Sequence, residues 1–127
     1  MTGVRAPLRH VFLVSRRALF NQRILIKWEK LVKEEKIILK KDNWEKLCQP
    51  FIKSSGNADS KEYYGFGWAI DEYKGHKLIG HGGANIGFRS VFARFVADGL
   101  SIIILTNTEE ANPGAIVNAL ADYYFRK

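Results

Sequence analysis

The stretch Gly80-His81-Gly82-Gly83-Ala84-Asn85-Ile86-Gly87 carries the densest chemical signal in the chain. Glycines let a ligand or a second backbone approach closely. A histidine among them adds a group that can donate, accept or titrate near neutral pH. The stretch is not a phosphate-cradling loop, because no Gly-Lys-Ser/Thr follows. Nor is it a dinucleotide fingerprint: the third glycine falls at the wrong spacing, and a strand pattern rather than a helix follows. His10, His76 and His81 lack metal-ligand spacing with carboxylates. Cys48 is the single cysteine, which excludes an internal disulfide and any multi-cysteine zinc site. No metal and no cofactor are therefore expected. No Ser-His-Asp order stands out from chance.

These residues must be positioned by the surrounding elements. From Ile24 the pattern is helical, with Ile24, Trp28, Leu31 and Val32 at three- and four-residue spacing and Lys27, Lys30, Lys33 and Glu34 largely on the wet side. A second helix is predicted from Asp42, which with Glu45 forms a capping box. Its buried stripe would be Trp44, Leu47, Cys48 and Phe51, and Pro50 opposes an extended continuation. Residues 53–61 are small and polar, a loop. Four strands follow, over residues 63–70, 76–81, 87–96 and 100–106, with Asp98-Gly99 as a tight-turn signal between the last two. Ile102-Ile103-Ile104-Leu105 is apolar on both alternating faces, so this strand expects cover on both sides of the sheet. Asn112 as N-cap with Pro113 behind it opens a last helix whose apolar face is Ile116, Val117, Leu120 and Tyr124. The fold class is α+β: an antiparallel meander sheet of about four strands flanked by N-terminal helices and a C-terminal helix.

The chain has 127 residues and a formal charge of +7. Residues 1–61 hold 14 Lys/Arg against 6 Asp/Glu, and residues 62–127 hold 6 against 7. A basic half invites a nucleic-acid or membrane-surface module. Against it, the basic run has no interleaved aromatics beyond Trp28 and Trp44, both better used as core, so no specific nucleic-acid partner is expected. Residues 1–23 form a separate basic leader without an acid, and its apolar run, Val11 to Val14, is too short for a signal peptide. No apolar run approaches the ~20 residues of a membrane-spanning helix. Residues 24–127 are read as the domain proper.

The C-terminal half is more specific than its generic motifs. Tyr64-Gly65-Phe66-Gly67-Trp68, then His81-Gly82-Gly83, then Gly87-Phe88-Arg89-Ser90, then Ile104-Leu105-Thr106-Asn107, then a capped helix form an ordered set. That set resembles the C-terminal part of the serine β-lactamase-related hydrolases, which include class C β-lactamases, D-alanyl-D-alanine carboxypeptidases and related esterases. The resemblance covers roughly residues 24–127. It implies a partial β-lactamase-like fold and a serine acyl-transfer site acting on small amide or ester substrates without a cofactor. Relatives are often exported. It also implies that His81, Gly82 and Gly83 correspond to the family's third motif, with His81 as a polar donor in place of a lysine. Gly83 would leave room for substrate, and Ala84 would present an oxyanion-hole N–H. Asn107 matches a position near the substrate carboxylate.

The departure from the family is sharp. None of Ser15, Ser54, Ser55, Ser60, Ser90 and Ser101 has a lysine three residues on, and no Tyr-x-Asn or Tyr-x-Ser occurs. Without a nucleophile the third-motif strand can position a carbonyl but cannot form an acyl-enzyme. The expectation is a C-terminal fragment of such a hydrolase, inactive by itself. The alternatives are the basic binding module and an interaction subunit that completes a partner chain. Because the family's flanking strands have no counterpart among the predicted elements, strand Leu100 to Thr106 is expected at a sheet edge, open to self-association or a partner chain, unless residues 1–23 fold back, where Val11 to Val14 is the one short apolar run able to add a strand.

Overall fold

The computed structural model describes residues 9–14, 22–34, 40–54 and 62–126. The elements, in chain order, are β1 (Arg9–Val14), α1 (Gln22–Lys33), α2 (Lys41–Leu47), β2 (Ile52–Lys53), β3 (Tyr63–Tyr64), β4 (Ala69–Tyr73), β5 (His76–Asn85), β6 (Phe88–Phe95), β7 (Leu100–Thr106) and α3 (Pro113–Phe125). They build one seven-stranded sheet in the order β1-β7-β6-β5-β4-β3-β2. The six strands from β2 to β7 pair antiparallel, and β1 adds to β7 in parallel, Arg9 opposite Leu100 and Val14 opposite Leu105. The α+β class and the meander are as read from the sequence, with a wider sheet than the four predicted strands.

Strand β7 fulfils its pattern. Leu100 through Leu105 are buried on both faces. On one face Leu100, Ile102 and Ile104 pack with Ala93 and Phe95 against Val117 and Ala121 of α3. Asn112 caps that helix as predicted, its Oδ1 accepting from Ala115 N–H at 3.0 Å with Pro113 at the first turn. The expected edge position of β7 is corrected: β1 hydrogen-bonds along it, so both of its backbone edges are paired. The short apolar run at Val11 to Val14 is what supplies the strand.

The helices carry further corrections. In α1 the residues turned inward are Leu25, Trp28, Glu29 and Val32, while Ile24 and Leu31 are 63% and 42% exposed. The buried face is rotated by one position from the predicted stripe because a charged residue, Glu29, lies at its centre. Helix α2 is capped two residues earlier than predicted. Its N-cap is Lys40, without a side-chain cap bond, which places Asp42 in the first turn. There its charge favours the helix dipole rather than capping. The helix stops at Leu47, ahead of Pro50, which disfavours helical backbone at the residue before it. Phe51 therefore falls beyond the helix and is 76% exposed. The predicted strand over residues 63–70 is broken between β3 and β4 by a turn in which Gly65 N–H donates to the Trp68 carbonyl at 2.8 Å and Gly67 has φ 81°. Most of the polar loop predicted over residues 53–61 lies outside the described residues, as does most of the basic leader.

The β4–β5 hairpin closes through Lys74 and Gly75, both with positive φ (51° and 85°), as a two-residue turn of the right twist demands. Asp122 of α3 fastens it. Tyr73 Oη donates to Asp122 Oδ1 at 2.9 Å, and Lys74 Nζ reaches the same oxygen at 2.5 Å. The Lys74 ammonium, then the Tyr73 hydroxyl, hold the Asp122 carboxyl below its ordinary value of 3.8. A carboxyl lowered on folding stabilises above its unfolded pKa, and that contribution is lost as pH falls through the folded value. Melting temperatures measured from pH 7 to pH 2 are therefore expected to fall more steeply for the natural chain than for Asp122→Asn. The difference should shrink in high salt, because the pair is exposed.

Candidate active site

Strand β5 is the axis of the site. His76 and Lys77 pair with β4, and from Leu78 to Gly80 the strand is paired on both sides, with β4 and with β6. From His81 to Asn85 it pairs with β6 alone, and no described residue takes its other edge. The motif stretch thus offers free backbone N–H and C=O groups along one side, which an extended substrate backbone could use. Beside it lies a cleft of about 500 Å³ whose wall includes Leu25, His81, Gly83, Phe92, Ile103 and Leu105.

The pairing register explains this wall. Side chains directly opposite one another share a sheet face. His81 stands opposite Phe92, and Phe92 opposite Ile103. One row further, Gly83 stands opposite Ser90, and Ser90 opposite Leu105. This is the face turned away from α3. The row on the other side of His81 runs Ile79, Arg94, Ser101. There the sheet receives α1: Ser101 Oγ donates to Glu29 Oε1 at 2.5 Å, and Arg94 Nε lies 3.0 Å from Glu29 Oε2. Glu29 is wholly buried, and Arg94 and Ser101 nearly so. Trp28 stacks on Trp68 with ring centroids 6.1 Å apart and meets Phe92 edge-on at 5.6 Å, while Trp44 closes on Trp68 at 6.1 Å. The two N-terminal helices are therefore held against the sheet by a buried ion pair and a cluster of large rings, and Leu25 at the start of α1 becomes one side of the cleft.

The four residues predicted for the site are distributed unevenly. His81, Gly83 and Ala84 fall within four positions along the free edge of β5 and all line the cleft. Asn107 is exposed just after β7, one residue beyond Thr106, where the cleft wall stops. His81 Nε2 is 2.9 Å from the hydroxyl of Tyr64, a contact across 17 positions of sequence. A Cβ on Gly83 would stand 2.5 Å from Ser90 Oγ, so the absence of a side chain there leaves room for that hydroxyl and keeps the cleft open. At the far end Arg89 Nη1 donates to the Asn85 and Phe88 carbonyls, and Glu109 Oε1 accepts from Gly87 N–H at 2.6 Å, fixing the β5–β6 turn.

Sequence reasoning missed Tyr64 and Glu29 as members of this structure. Tyr64 carried a signal, its place in Tyr64-Gly65-Phe66-Gly67-Trp68; Glu29 carried none, because a glutamate in a Lys-rich helix reads as solvated. Cys48 is no rival nucleophile: burial pushes its thiol above the usual range, offset only in part by Arg94 and Lys77. Ser101 is buried and committed to Glu29. Among the described residues, no three His, Cys, Asp or Glu side chains come together as a bound metal would require.

A family model described as Beta-lactamase matches residues 21–124. The chain is also similar to the solved structure of the octameric penicillin-binding protein homologue from Pyrococcus abyssi, with a TM-score of 0.71 and 25% identity over 81% of this chain. It spans 24% of the length of that solved chain. No curated protein matches.

Proposed function

Because this chain belongs to the beta-lactamase family, and folds as a part of the β-lactamase-like domain, we propose that it is the substrate-positioning portion of a serine acyl-transfer hydrolase, without turnover of its own. In this reading the free edge of β5 takes the backbone of a small amide or ester substrate. His81 is the polar donor of the third motif. Gly83 leaves the space the substrate fills, and the Ala84 N–H is one oxyanion donor. Asn107 reads a substrate carboxylate from beyond the end of β7. The observation that carries the reading is the coincidence of the His81-Gly82-Gly83 motif with the stretch of β5 that continues past its pairing with β4 and opens on the cleft.

Formation of an acyl-enzyme needs a nucleophile with a base beside it, and no serine of the chain is followed by lysine three positions on. Hydrolysis of a chromogenic β-lactam and of an activated ester is therefore expected to proceed at the buffer rate at every concentration of the 127-residue chain. A rate that scales with protein and survives repurification would overturn the reading. The share of the solved relative that the chain covers, 24%, accords with one further reading: a polypeptide portion carrying the Ser-x-x-Lys motif, in the same chain or another, completes the site. Turnover that appears only on mixing with such a polypeptide, and is lost with His81→Ala, would establish it.

A further inference from the structure

The contact between Tyr64 and His81 determines what His81 can do. The phenol oxygen lies 2.9 Å from Nε2, and the two rings meet edge-on with centroids 6.0 Å apart. A neutral imidazole has one N–H and one bare nitrogen, and which is which follows from the partner each finds. Two arrangements fit the distance: Tyr64 O–H donating to a bare Nε2, or Nε2–H donating to the phenol oxygen. Imidazole nitrogen is a much better acceptor than a phenol oxygen, and phenol O–H is a good donor, so the first is the stronger bond. With Nε2 accepting, the proton must sit on Nδ1.

We propose that Tyr64 is a positioning residue that locks His81 in its Nδ1–H form, so that the ring presents a hydrogen-bond donor to the cleft and not a base. The proposal rests on the reading of His81 as the site's polar donor and says how that role is fixed. It also accounts for a histidine where the resembling motif carries a lysine. A lysine ammonium can only donate; a histidine serves in its place only if something holds its tautomer.

The placement of Tyr64 is built into the fold. Gly65, next to it, is pressed against the end of α2: a Cβ there would stand 2.8 Å from the Gln49 carbonyl oxygen and 2.9 Å from that of Leu47. Phe51 N–H donates to the Tyr64 carbonyl at 3.2 Å, and Tyr64 pairs with Ala69, which in turn pairs with Gly80, the residue before His81. The end of α2 thereby sets β3, and β3 sets the phenol against the imidazole.

Long-range proton–nitrogen correlation spectra of the full chain labelled with nitrogen-15 read the tautomer directly, with the His81 signals assigned by their loss in His81→Gln. At pH 8 the expected pattern is a pyrrole-type Nδ1 and a pyridine-type Nε2. In Tyr64→Phe the pattern is expected to shift toward the Nε2–H form that free imidazole side chains prefer. A pyrrole-type Nε2 in the natural chain would overturn the proposal, as would a pattern unchanged in a folded Tyr64→Phe. Should that variant fail to fold, the spectrum of the natural chain still decides between the two tautomers. Because the readout involves no turnover, it stands apart from the acyl-transfer reading: an active chain with the expected tautomer would sink that reading and leave this one intact.

Discussion

Glu29→Ala is expected to lower folding stability by about 3–5 kcal/mol, the cost of leaving a buried charge without its counter-ion. The orphan would be Arg94, whose side chain is 4% exposed. Its Nη1 has no hydrogen-bond partner among the described residues, and its guanidinium otherwise rests 5.3 Å over the ring of Trp44. Ser101 Oγ would lose its acceptor as well. Small domains are stable by only about 5–15 kcal/mol, so urea unfolding should show the midpoint moved far toward zero. The cause is separable from loss of packing. Replacing both partners with apolar residues, Glu29→Leu with Arg94→Met, should recover most of the loss, since a buried pair exchanged for well-packed apolar groups is often neutral or stabilising. A single variant as stable as the natural chain would show that α1 is not held to the sheet by this pair.

Gly80→Val is expected to be the next most damaging change, at about 1–3 kcal/mol or more for overpacking. A Cβ at Gly80 would stand 2.7 Å from the Phe92 carbonyl oxygen and 3.4 Å from the Cα of Ala93. Both belong to the backbone of β6, in the middle of the sheet, and cannot swing aside. The neighbouring glycines behave differently. At Gly82 the nearest atom to a Cβ is the Ser90 carbonyl oxygen at 3.8 Å, an ordinary contact. At Gly83 it is the Ser90 hydroxyl, a small group that can rotate. Thermal melts of Gly80→Val, Gly82→Ala and Gly83→Ala should rank in that sense, with Gly80→Val well below the others. Equal melting temperatures would mean that close strand approach is not what places glycine at position 80. The ranking also separates two uses of glycine in one motif: Gly80 serves the sheet, while Gly83 leaves the cleft open beside His81.

Much of this architecture is legible in the sequence because it depends on local pattern. Ile102-Ile103-Ile104-Leu105 announces a strand covered on both faces, and Asn112-Pro113 announces the helix that covers one of them. The family resemblance was carried by short motifs whose order survives in one chain, and the match over residues 21–124 accords with it. What the pattern hid depends on pairing between distant residues. The inward face of α1 was misplaced because Glu29 is buried only by virtue of Arg94 and Ser101, 65 and 72 positions away. Val11 to Val14 can be read as able to add a strand, but nothing in Arg9–Val14 states that it joins β7, nor that it joins in parallel. The partner of His81 was out of sight for the same reason: the β3–β4–β5 meander, not the spacing, brings Tyr64 to it.

The central claim is that this chain shapes a substrate edge without a nucleophile to be acylated, and intact-mass spectrometry tests it most directly. The folded chain is incubated with excess benzylpenicillin, and separately with a fluorophosphonate, then weighed. The expected result is the unmodified mass in both cases. A stoichiometric adduct on one serine, formed by the folded chain and abolished when it is denatured before labelling, would contradict the claim.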